Sequence, residues 1–372
     1  MNKDEITAVG IIGCGVISNT YIRDIQRLYP DMKIVAVADV CMEQAINVSK
    51  QYNIEKACSA DELLADPEIS IVINLTPPKF HTEINYKILK ASKNLFCEKP
   101  LALSLDDARG VVEYAEREGL TVCCAPDSFL GSSLASCIRY LNDGVIGKPL
   151  YVNTNMLNCG VETWHPRPEP FYRFGGGPIY DMGGYYFTAL VSMFGSVESV
   201  RAIGRRGFDR RTFYTGENIN REFNVDVDTH YCVLVWFKSG VVANMNFSFD
   251  IYYSEMPMFE IYGTEGTLMV PDPNMHGGIT RVFRKEQKLT ECYGGTDEHE
   301  GKPYELPELI QNVGTYVRGI GVHDMACALR ENREPAANGR LALHVVDIMT
   351  SVMKSAETNS DIMLTTEYEP QN

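Results

Sequence analysis

Short apolar runs alternate with helical patterns through the first third of the chain. In the segments between the runs, apolar positions recur every three or four residues, as on one face of a helix. The predicted strands cover residues 6–12, 33–38, 56–58, 69–75, 94–97 and 121–124. Apolar residues dominate the run at 69–75, which is typical of a strand with helices on both faces. This alternation predicts an α/β fold with a doubly wound parallel sheet.

From residue 128 onward, apolar and polar positions alternate along several strands, as in 230–237 and 243–249. This pattern suits a sheet with one face toward water or another subunit. The predicted strands cover residues 151–156, 197–204, 229–238, 241–250, 258–263 and 267–270, and the predicted helices 134–141, 181–194, 313–330 and 339–355. Residues 205–220 and 277–300 show no clear pattern. Because 372 residues exceed one ordinary core, we expect two domains, at 1–127 and 128–372.

The first predicted strand leads into a glycine turn, Gly-Cys-Gly-Val-Ile-Ser at 13–18, and then into a helix. Strand, glycine turn and helix form a phosphate-binding signature, here with Ser18 in place of the third glycine. The expected cofactor contacts of this turn are Gly13, Cys14, Gly15, Val16 and Ile17. Asp39 ends the next strand, where a carboxylate accepts hydrogen bonds from ribose hydroxyls and repels the extra phosphate of NADP. The sequence therefore predicts NAD rather than NADP, with a helix N-cap as the alternative role of Asp39.

Two later strands also end in polar or proline-rich loops, at 76–81 and 98–101. In open α/β sheets, ligands bind outside the carboxyl ends of the strands. The residues expected at the cofactor in these loops are Thr76, Pro77, His81, Glu98 and Lys99. Local hydrogen bonding is the alternative role of His81, and an exposed turn lysine is the alternative for Lys99.

The second domain carries a glycine triplet at 175–177 followed by Asp181 and Tyr185. Residues four apart on a helix share one face, so both side chains are candidates for a substrate site; capping and core packing are the alternatives. Upstream lies a proline-rich aromatic loop that suits stacking on a sugar ring. Its candidate substrate contacts are Trp164, His165, Tyr172 and Arg173. A purely structural aromatic loop is the other interpretation.

Composition narrows the possible partners. The net charge of −15 argues against binding nucleic acid or an anionic membrane. No apolar run approaches the roughly 20 residues of a membrane span, and polar residues 1–7 leave no room for a signal peptide. The eleven cysteines include no C-x-x-C pair, so no metal site is predicted and free thiols in a reducing cytoplasm are expected.

Taken in order, the motifs at 13–15, 39, 76–81, 98–100 and 175–185 resemble those of the Gfo/Idh/MocA family, which includes glucose-fructose oxidoreductase and inositol dehydrogenase. The resemblance implies a Rossmann domain followed by an α/β domain with a large, mostly antiparallel open sheet. It also implies a homo-oligomer, a dimer or tetramer, formed through that sheet. By the same resemblance Lys99 is catalytic, Asp181 lies at the substrate and residue 185 transfers a proton. Many members carry histidine at that position; Tyr185 resembles the glucose-fructose oxidoreductase and dihydrodiol dehydrogenase branches.

The expected reaction is reversible oxidation of a secondary alcohol of a sugar, polyol or sugar derivative. A tyrosine with a pKa of ~10 is a poor base at neutral pH, so Lys99 is expected to stabilise the phenolate of Tyr185 while Asp181 orients substrate. Lys99 and, more distantly, His165 are competing candidates for the base. An enzyme that recycles bound NAD through a 3-keto intermediate, with elimination or transfer to a second sugar, is the alternative function. An inactive NAD-dependent regulatory protein is a third.

Overall fold

The computed structural model describes residues 6–289, 301–310 and 314–370. The chain divides into two compact units. The first combines Met1–Leu130 with Tyr316–Val346, and the second combines Gly131–Thr315 with Asp347–Pro370. In the described part of the chain the cysteines are free thiols, and the helices there include none long and apolar enough to cross a bilayer.

The first unit contains one six-stranded sheet in the order β3-β2-β1-β4-β5-β6, with every neighbouring pair parallel. Its strands are β1 (Thr7–Ile12), β2 (Met32–Ala38), β3 (Lys56–Cys58), β4 (Ile71–Asn74), β5 (Asn94–Cys97) and β6 (Val122–Cys124). Its first five helices are α1 (Val16–Leu28), α2 (Met42–Tyr52), α3 (Ala60–Ala65), α4 (His81–Lys90) and α5 (Leu105–Glu118). This strand order is that of a Rossmann fold, whose order reverses beside β1. The predicted doubly wound parallel sheet is confirmed.

The second unit is built on a nine-stranded sheet in the order β16-β15-β14-β13-β7-β12-β11-β8-β17, and a separate hairpin pairs β9 with β10. Its strands are β7 (Pro149–Leu157), β8 (Val197–Arg205), β9 (Arg210–Thr212), β10 (Glu222–Asn224), β11 (His230–Phe237), β12 (Val242–Ser248), β13 (Phe259–Gly263), β14 (Gly266–Met269), β15 (Thr280–Arg284), β16 (Tyr304–Leu306) and β17 (Ile362–Met363). Its helices are α6 (Ser132–Asn142), α7 (Gly184–Phe194) and α8 (Lys285–Leu289). All neighbours in the large sheet are antiparallel except β7 and β12, so the expected mostly antiparallel sheet is confirmed.

Residue burial alternates along β11, as the sequence predicts. Tyr231 and Val233 are buried, while Leu234 on the same strand and Ile203 on β8 keep 39% and 64% of their surface exposed. One face of the sheet is therefore packed and the other carries apolar side chains at the surface. Association of copies through this sheet stays a prediction.

The last part of the chain returns to the first unit, where α9 (Ile320–Glu331) and the start of α10 (Gly339–Thr358) belong. Val322, Met325 and Ala326 of α9 join the same buried cluster as Val9 and Ile71 of the parallel sheet. The second unit therefore does not contain all of residues 128–372, as expected from the sequence, because the apolar face of α9 packs into the core of the first unit. The first boundary, after Leu130, lies three residues beyond the expected one.

The elements depart from the predicted ones in three places. Residues 205–220, expected to be irregular, contain β9, and β15 and α8 lie within 277–289; residues 290–300 lie outside the described part. The helix expected from 313 begins at Ile320, and 311–313 are likewise outside it. Before α7, Ile179–Gly183 forms a π-helical turn rather than α-helix.

Met325 tests the contribution of α9 to the first core, since its side chain has no exposed surface. Met325→Ala is expected to lower the free energy of unfolding by about 2–5 kcal/mol, as for other buried large-to-small changes. Met42→Ala, at a side chain 41% exposed on α2, is the control and should cost about 0.5 kcal/mol. Urea unfolding, monitored by amide exchange in β1 and β4, measures the stability of both variants. Equal losses of stability in Met325→Ala and Met42→Ala would contradict a core role for α9.

Candidate active site

The glycine turn joins β1 to α1 at the carboxyl edge of the parallel sheet. Gly13 has a φ of +105°, and a Cβ there would lie 2.6 Å from the carbonyl carbon of Leu75, so only glycine fits without displacing the end of β4. Gly15 is the N-cap residue of α1, with a φ of −77°. A Cβ on Gly15 would have no described atom within 4 Å. The turn is thus packed on one side and open on the other.

The open side of the turn fits a pyrophosphate. Within the described residues, no side chain caps α1 and no acidic residue lies in its first turn, so its first main-chain N–H groups and partial positive charge suit an anion. Val16 is 88% exposed there. Ser18, in place of the third glycine, is fully buried, and its hydroxyl donates to the Gly15 carbonyl at 2.7 Å. The side chain of Ser18 is therefore directed into the turn and not toward the open side.

Asp39, directly after β2, ties the turn to the neighbouring strand. Its Oδ2 accepts the N–H of Cys14 and its Oδ1 accepts the N–H of Cys41, both at 2.8 Å. The N-cap of α2 is Cys41, so Asp39 is not the capping residue. Each carboxylate oxygen can accept a second hydrogen bond, which leaves Asp39 able to receive ribose hydroxyls. The buried thiol of Cys14 stays protonated, because burial and the Asp39 charge raise its pKa to about 12.

The loop after β4 places Thr76 and Pro77 at the same edge. Thr76 donates from its main-chain N–H and from its hydroxyl to Oδ1 of Asn74, at 3.1 and 2.7 Å, and Pro77 is exposed. His81 differs from the expected cofactor contact. Its side chain has no exposed surface, and its two ring nitrogens contact the carbonyl oxygens of Pro100 and Thr76. Its position supports the alternative of local hydrogen bonding.

Glu98 and Lys99 follow β5. The Glu98 carboxylate accepts the Tyr21 hydroxyl and the Lys99 main-chain N–H, each at 2.9 Å. Arg318, from the returning segment of the same unit, has its Nε 4.0 Å from Glu98 Oε1. Glu98 thus holds the backbone of Lys99, and its carboxylate is committed to protein partners. The Lys99 side chain is half-buried.

Tyr21 and Arg318 were not among the predicted site residues. Tyr21 falls in the apolar pattern of α1, which predicts packing, and it is indeed fully buried. Burial and the Glu98 charge raise the pKa of its hydroxyl well above the ordinary value, so it stays a donor. Arg318 offers no sequence signal, because it reaches Glu98 only through the return of the chain.

In the second unit, the glycine triplet and the π-helical turn precede α7. A Cβ on Gly176 would lie 2.6 Å from the carbonyl oxygen of Pro170, so the glycine admits a second backbone segment. Asp181 lies within the π-helical turn and is half-buried, and Tyr185, on the first turn of α7, is 7% exposed. Such turns recur at functional sites. Whether these two residues bind substrate stays a prediction.

The aromatic loop contains both exposed and buried members. Trp164 is 65% exposed and Arg173 is also exposed, while His165 is half-buried with its ring edge-on to Trp164 at 5.3 Å. Tyr172 has no exposed surface. Its hydroxyl donates to Glu162 and accepts the Val161 N–H at 3.1 Å. Tyr172 is therefore a structural residue of this loop rather than a substrate contact.

A buried arginine, which sequence reasoning missed, holds that loop in place. Arg211 on β9 contacts the carboxylates of Glu162, at 2.6 Å, and Asp250. It also donates to the carbonyl of Cys159 at 3.2 Å, and its guanidinium lies 5.1 Å from the Tyr172 ring centroid. The buried guanidinium of Arg211, between two carboxylates, therefore fixes the path of residues 159–172.

Three candidate metal ligands come together elsewhere in the first unit. Atoms of Asp31, His323 and Cys327 lie within 4.8 Å of one another. Arg330 already contacts Asp31 at 2.5 Å and Cys327 at 3.2 Å. The arginine supplies the positive charge in this cluster.

Comparisons with known proteins agree with the geometry. Myo-inositol 2-dehydrogenase of Thermotoga maritima is 26% identical over 262 residues, which cover 70% of this chain and 74% of that protein. The scyllo-inositol 2-dehydrogenase (NAD(+)) of Bacillus subtilis is 26% identical over 263 residues, which cover 70% of this chain and 72% of that one. Among solved structures, levoglucosan dehydrogenase in complex with NADH matches with a TM-score of 0.80 at 19% identity, over 97% of this chain and 99% of the other. The structural match is one of fold.

A parallel sheet of this order, with an open glycine turn and an acidic residue after β2, defines a dinucleotide-binding unit. The family described as "Oxidoreductase family, NAD-binding Rossmann fold" matches residues 7–125, and the "GFO/IDH/MocA C-terminal domain" matches residues 136–269. Together they span more than half of the chain. The protein belongs to the GFO/IDH/MocA family of NAD-dependent oxidoreductases.

Gly15 and Gly13 separate cofactor binding from folding. In Gly15→Ala the new methyl group points into open space, so stability should be retained while the Kd for NAD rises about tenfold or more, or ~1.4 kcal/mol. Gly13→Ala should instead destabilise the first unit, because of its positive φ and the 2.6 Å approach to Leu75. Calorimetric NAD titration and thermal melts measure the two effects. Native NAD affinity in Gly15→Ala would contradict a pyrophosphate at this turn.

Proposed function

We propose that this enzyme reversibly oxidises a secondary alcohol of a sugar, polyol or sugar derivative. The observation that carries the proposal is the position of Lys99. Lys99 follows β5 at the sheet edge where the glycine turn also lies, and its main-chain N–H donates to the Glu98 carboxylate at 2.9 Å. The relatives named inositol dehydrogenases act on cyclic polyols by their names, which supports a polyol or sugar as substrate here. NAD, when bound, supplies the hydride acceptor.

In this proposal the chain's own residues orient the carbinol and manage one proton. Tyr185 takes the proton of the hydroxyl group, and Asp181 orients the substrate through a hydrogen bond. Lys99 provides positive charge that stabilises the oxygen as its proton leaves. The exposed Trp164 ring and Arg173 guanidinium supply a stacking surface and hydroxyl donors for a sugar. Lys99 as the base is the competing assignment.

Tyr185→Phe tests the assignment of the base. Removing the hydroxyl should lower kcat by about 10²–10⁴-fold, the usual contribution of a general base, with NAD affinity unchanged because α7 lies outside the NAD-binding unit. Tyr186→Phe removes the hydroxyl of the adjacent buried tyrosine and serves as the matched control. Steady-state kinetics with the best substrate measure both variants. Wild-type turnover in Tyr185→Phe would shift the role to Lys99.

A substrate screen separates net oxidation from cofactor recycling. With myo-inositol, scyllo-inositol, levoglucosan and simple aldoses, we expect NADH to form in proportion to the oxidised product. Glycosides that release their aglycone without net NADH would favour the recycling enzyme. Tight NAD binding with no turnover of any compound would favour the regulatory protein and contradict the proposal.

A further inference from the structure

The buried face of α4 carries two polar side chains, His81 and Asn85, one helical turn apart and without exposed surface. Asn85 donates from Nδ2 to the carbonyl of Leu101 at 3.1 Å. Its Oδ1 accepts from Nδ2 of Asn74 at 2.8 Å, and Asn74 in turn accepts both donors of Thr76. One helix face therefore contacts the loop after β4 and the loop after β5.

Both ring nitrogens of His81 face main-chain carbonyl oxygens. Nδ1 lies 2.6 Å from the oxygen of Pro100, and Nε2 lies 2.7 Å from the oxygen of Thr76. Carbonyl oxygens only accept, and a neutral imidazole has a single N–H. Both contacts are hydrogen bonds only if the ring carries two protons. An imidazolium satisfies both contacts, whereas either neutral tautomer leaves one ring nitrogen facing an oxygen to which it cannot hydrogen-bond.

The surroundings of the ring favour its charged form. Burial alone lowers the pKa of His81, but the negative charge of a Cys97 thiolate on β5, hydrogen bonding to that thiolate and the carbonyls of Pro100 and Thr76 raise it to about 9. His81 in turn lowers the pKa of the Cys97 thiol, so the two groups favour each other's charged form. At neutral pH the ring is then mostly protonated, paired with the Cys97 thiolate. The amide of Asn85 is neutral and does not compete for the charge.

The backbone at Lys99 is held at Lys99 itself and at the residue that follows it. The Lys99 N–H is held by the Glu98 carboxylate at 2.9 Å, and the next residue, Pro100, offers its carbonyl to His81 at 2.6 Å. We propose that His81 is a positioning residue for Lys99, an imidazolium that joins the loop at 76–80 to the loop at 98–101 and fixes the backbone from which Lys99 projects. This inference rests on the proposed function for the role of Lys99, but the charge and the joining of the loops do not depend on turnover.

Nitrogen NMR of the full-length protein with labelled histidine tests the charge directly. His81→Gln, by the loss of its signals, assigns the His81 resonances. We expect both ring nitrogens of His81 to be protonated between pH 6 and 8, with two N–H groups that exchange slowly with water. One protonated and one unprotonated nitrogen would overturn the inference, whatever the substrate is.

The same variant tests the positioning. The matched control is His323→Gln in the same unit. His323 contacts Asp31 at 3.2 Å. Asp31 directly precedes β2, so this contact lies at the amino end of that strand, the opposite edge of the sheet. In His81→Gln we expect kcat to fall about tenfold or more, as small displacements near the reacting atoms do, with the KM for NAD within about threefold. Amide exchange should rise in 76–80 and 98–103 only. His323→Gln should leave kcat and exchange in these loops unchanged.

Two outcomes would overturn the positioning role. Unchanged kcat and exchange in His81→Gln would show that the loops hold without the imidazolium. Faster exchange throughout the first unit would show that the ring only fills the core. If the wild-type protein oxidises no polyol or sugar, the proposed function fails, while the NMR and exchange measurements still decide the inference. If His81→Gln does not fold, the wild-type NMR experiment decides it, with resonances assigned by elimination of the other histidines.

Discussion

Main-chain groups that leave a parallel ladder need new hydrogen-bond partners, because burial without them is costly. At the carboxyl edge of the first sheet, side chains supply these partners. Asp39 receives two N–H groups, Glu98 receives the N–H of Lys99, and His81 donates to two carbonyls. Loops that follow different strands are thereby tied to one another. This bonding fixes the backbone around the first turn of α1 and around Lys99, the two places where the proposed cofactor and substrate contacts lie.

The second unit solves a similar problem with charge. The segment between β7 and the π-helical turn has few regular hydrogen bonds, and Arg211 holds it through Glu162, Asp250 and the Cys159 carbonyl. Removing one member of such a buried cluster leaves the others unpaired, which usually costs more than the intact cluster contributes. The arrangement therefore favours one path for this loop over alternatives of similar compactness. The exposed ring of Trp164 lies on the segment so held.

Local signals predicted much of the first unit. The strand pattern, the positive φ at Gly13 and the acidic end of β2 are all set by short-range constraints. The same signals could not decide whether His81 and Tyr172 contact a ligand or are buried structural residues, because histidine and tyrosine serve both purposes. What decides is which main-chain atoms tertiary folding brings to the side chain. The π-helical turn was missed for a related reason, since helix periodicity in sequence does not indicate where one residue is added to a turn.

The discontinuous first unit has a consequence for biosynthesis. Its core is complete only when α9 is present, and α9 is translated after nearly the whole second unit. Domains usually fold in the order in which the ribosome makes them. Here the nascent amino-terminal sheet emerges before its last helix, because Gly131–Thr315 of the second unit are translated between them. The order of the chain therefore delays completion of the first core until nearly the end of synthesis.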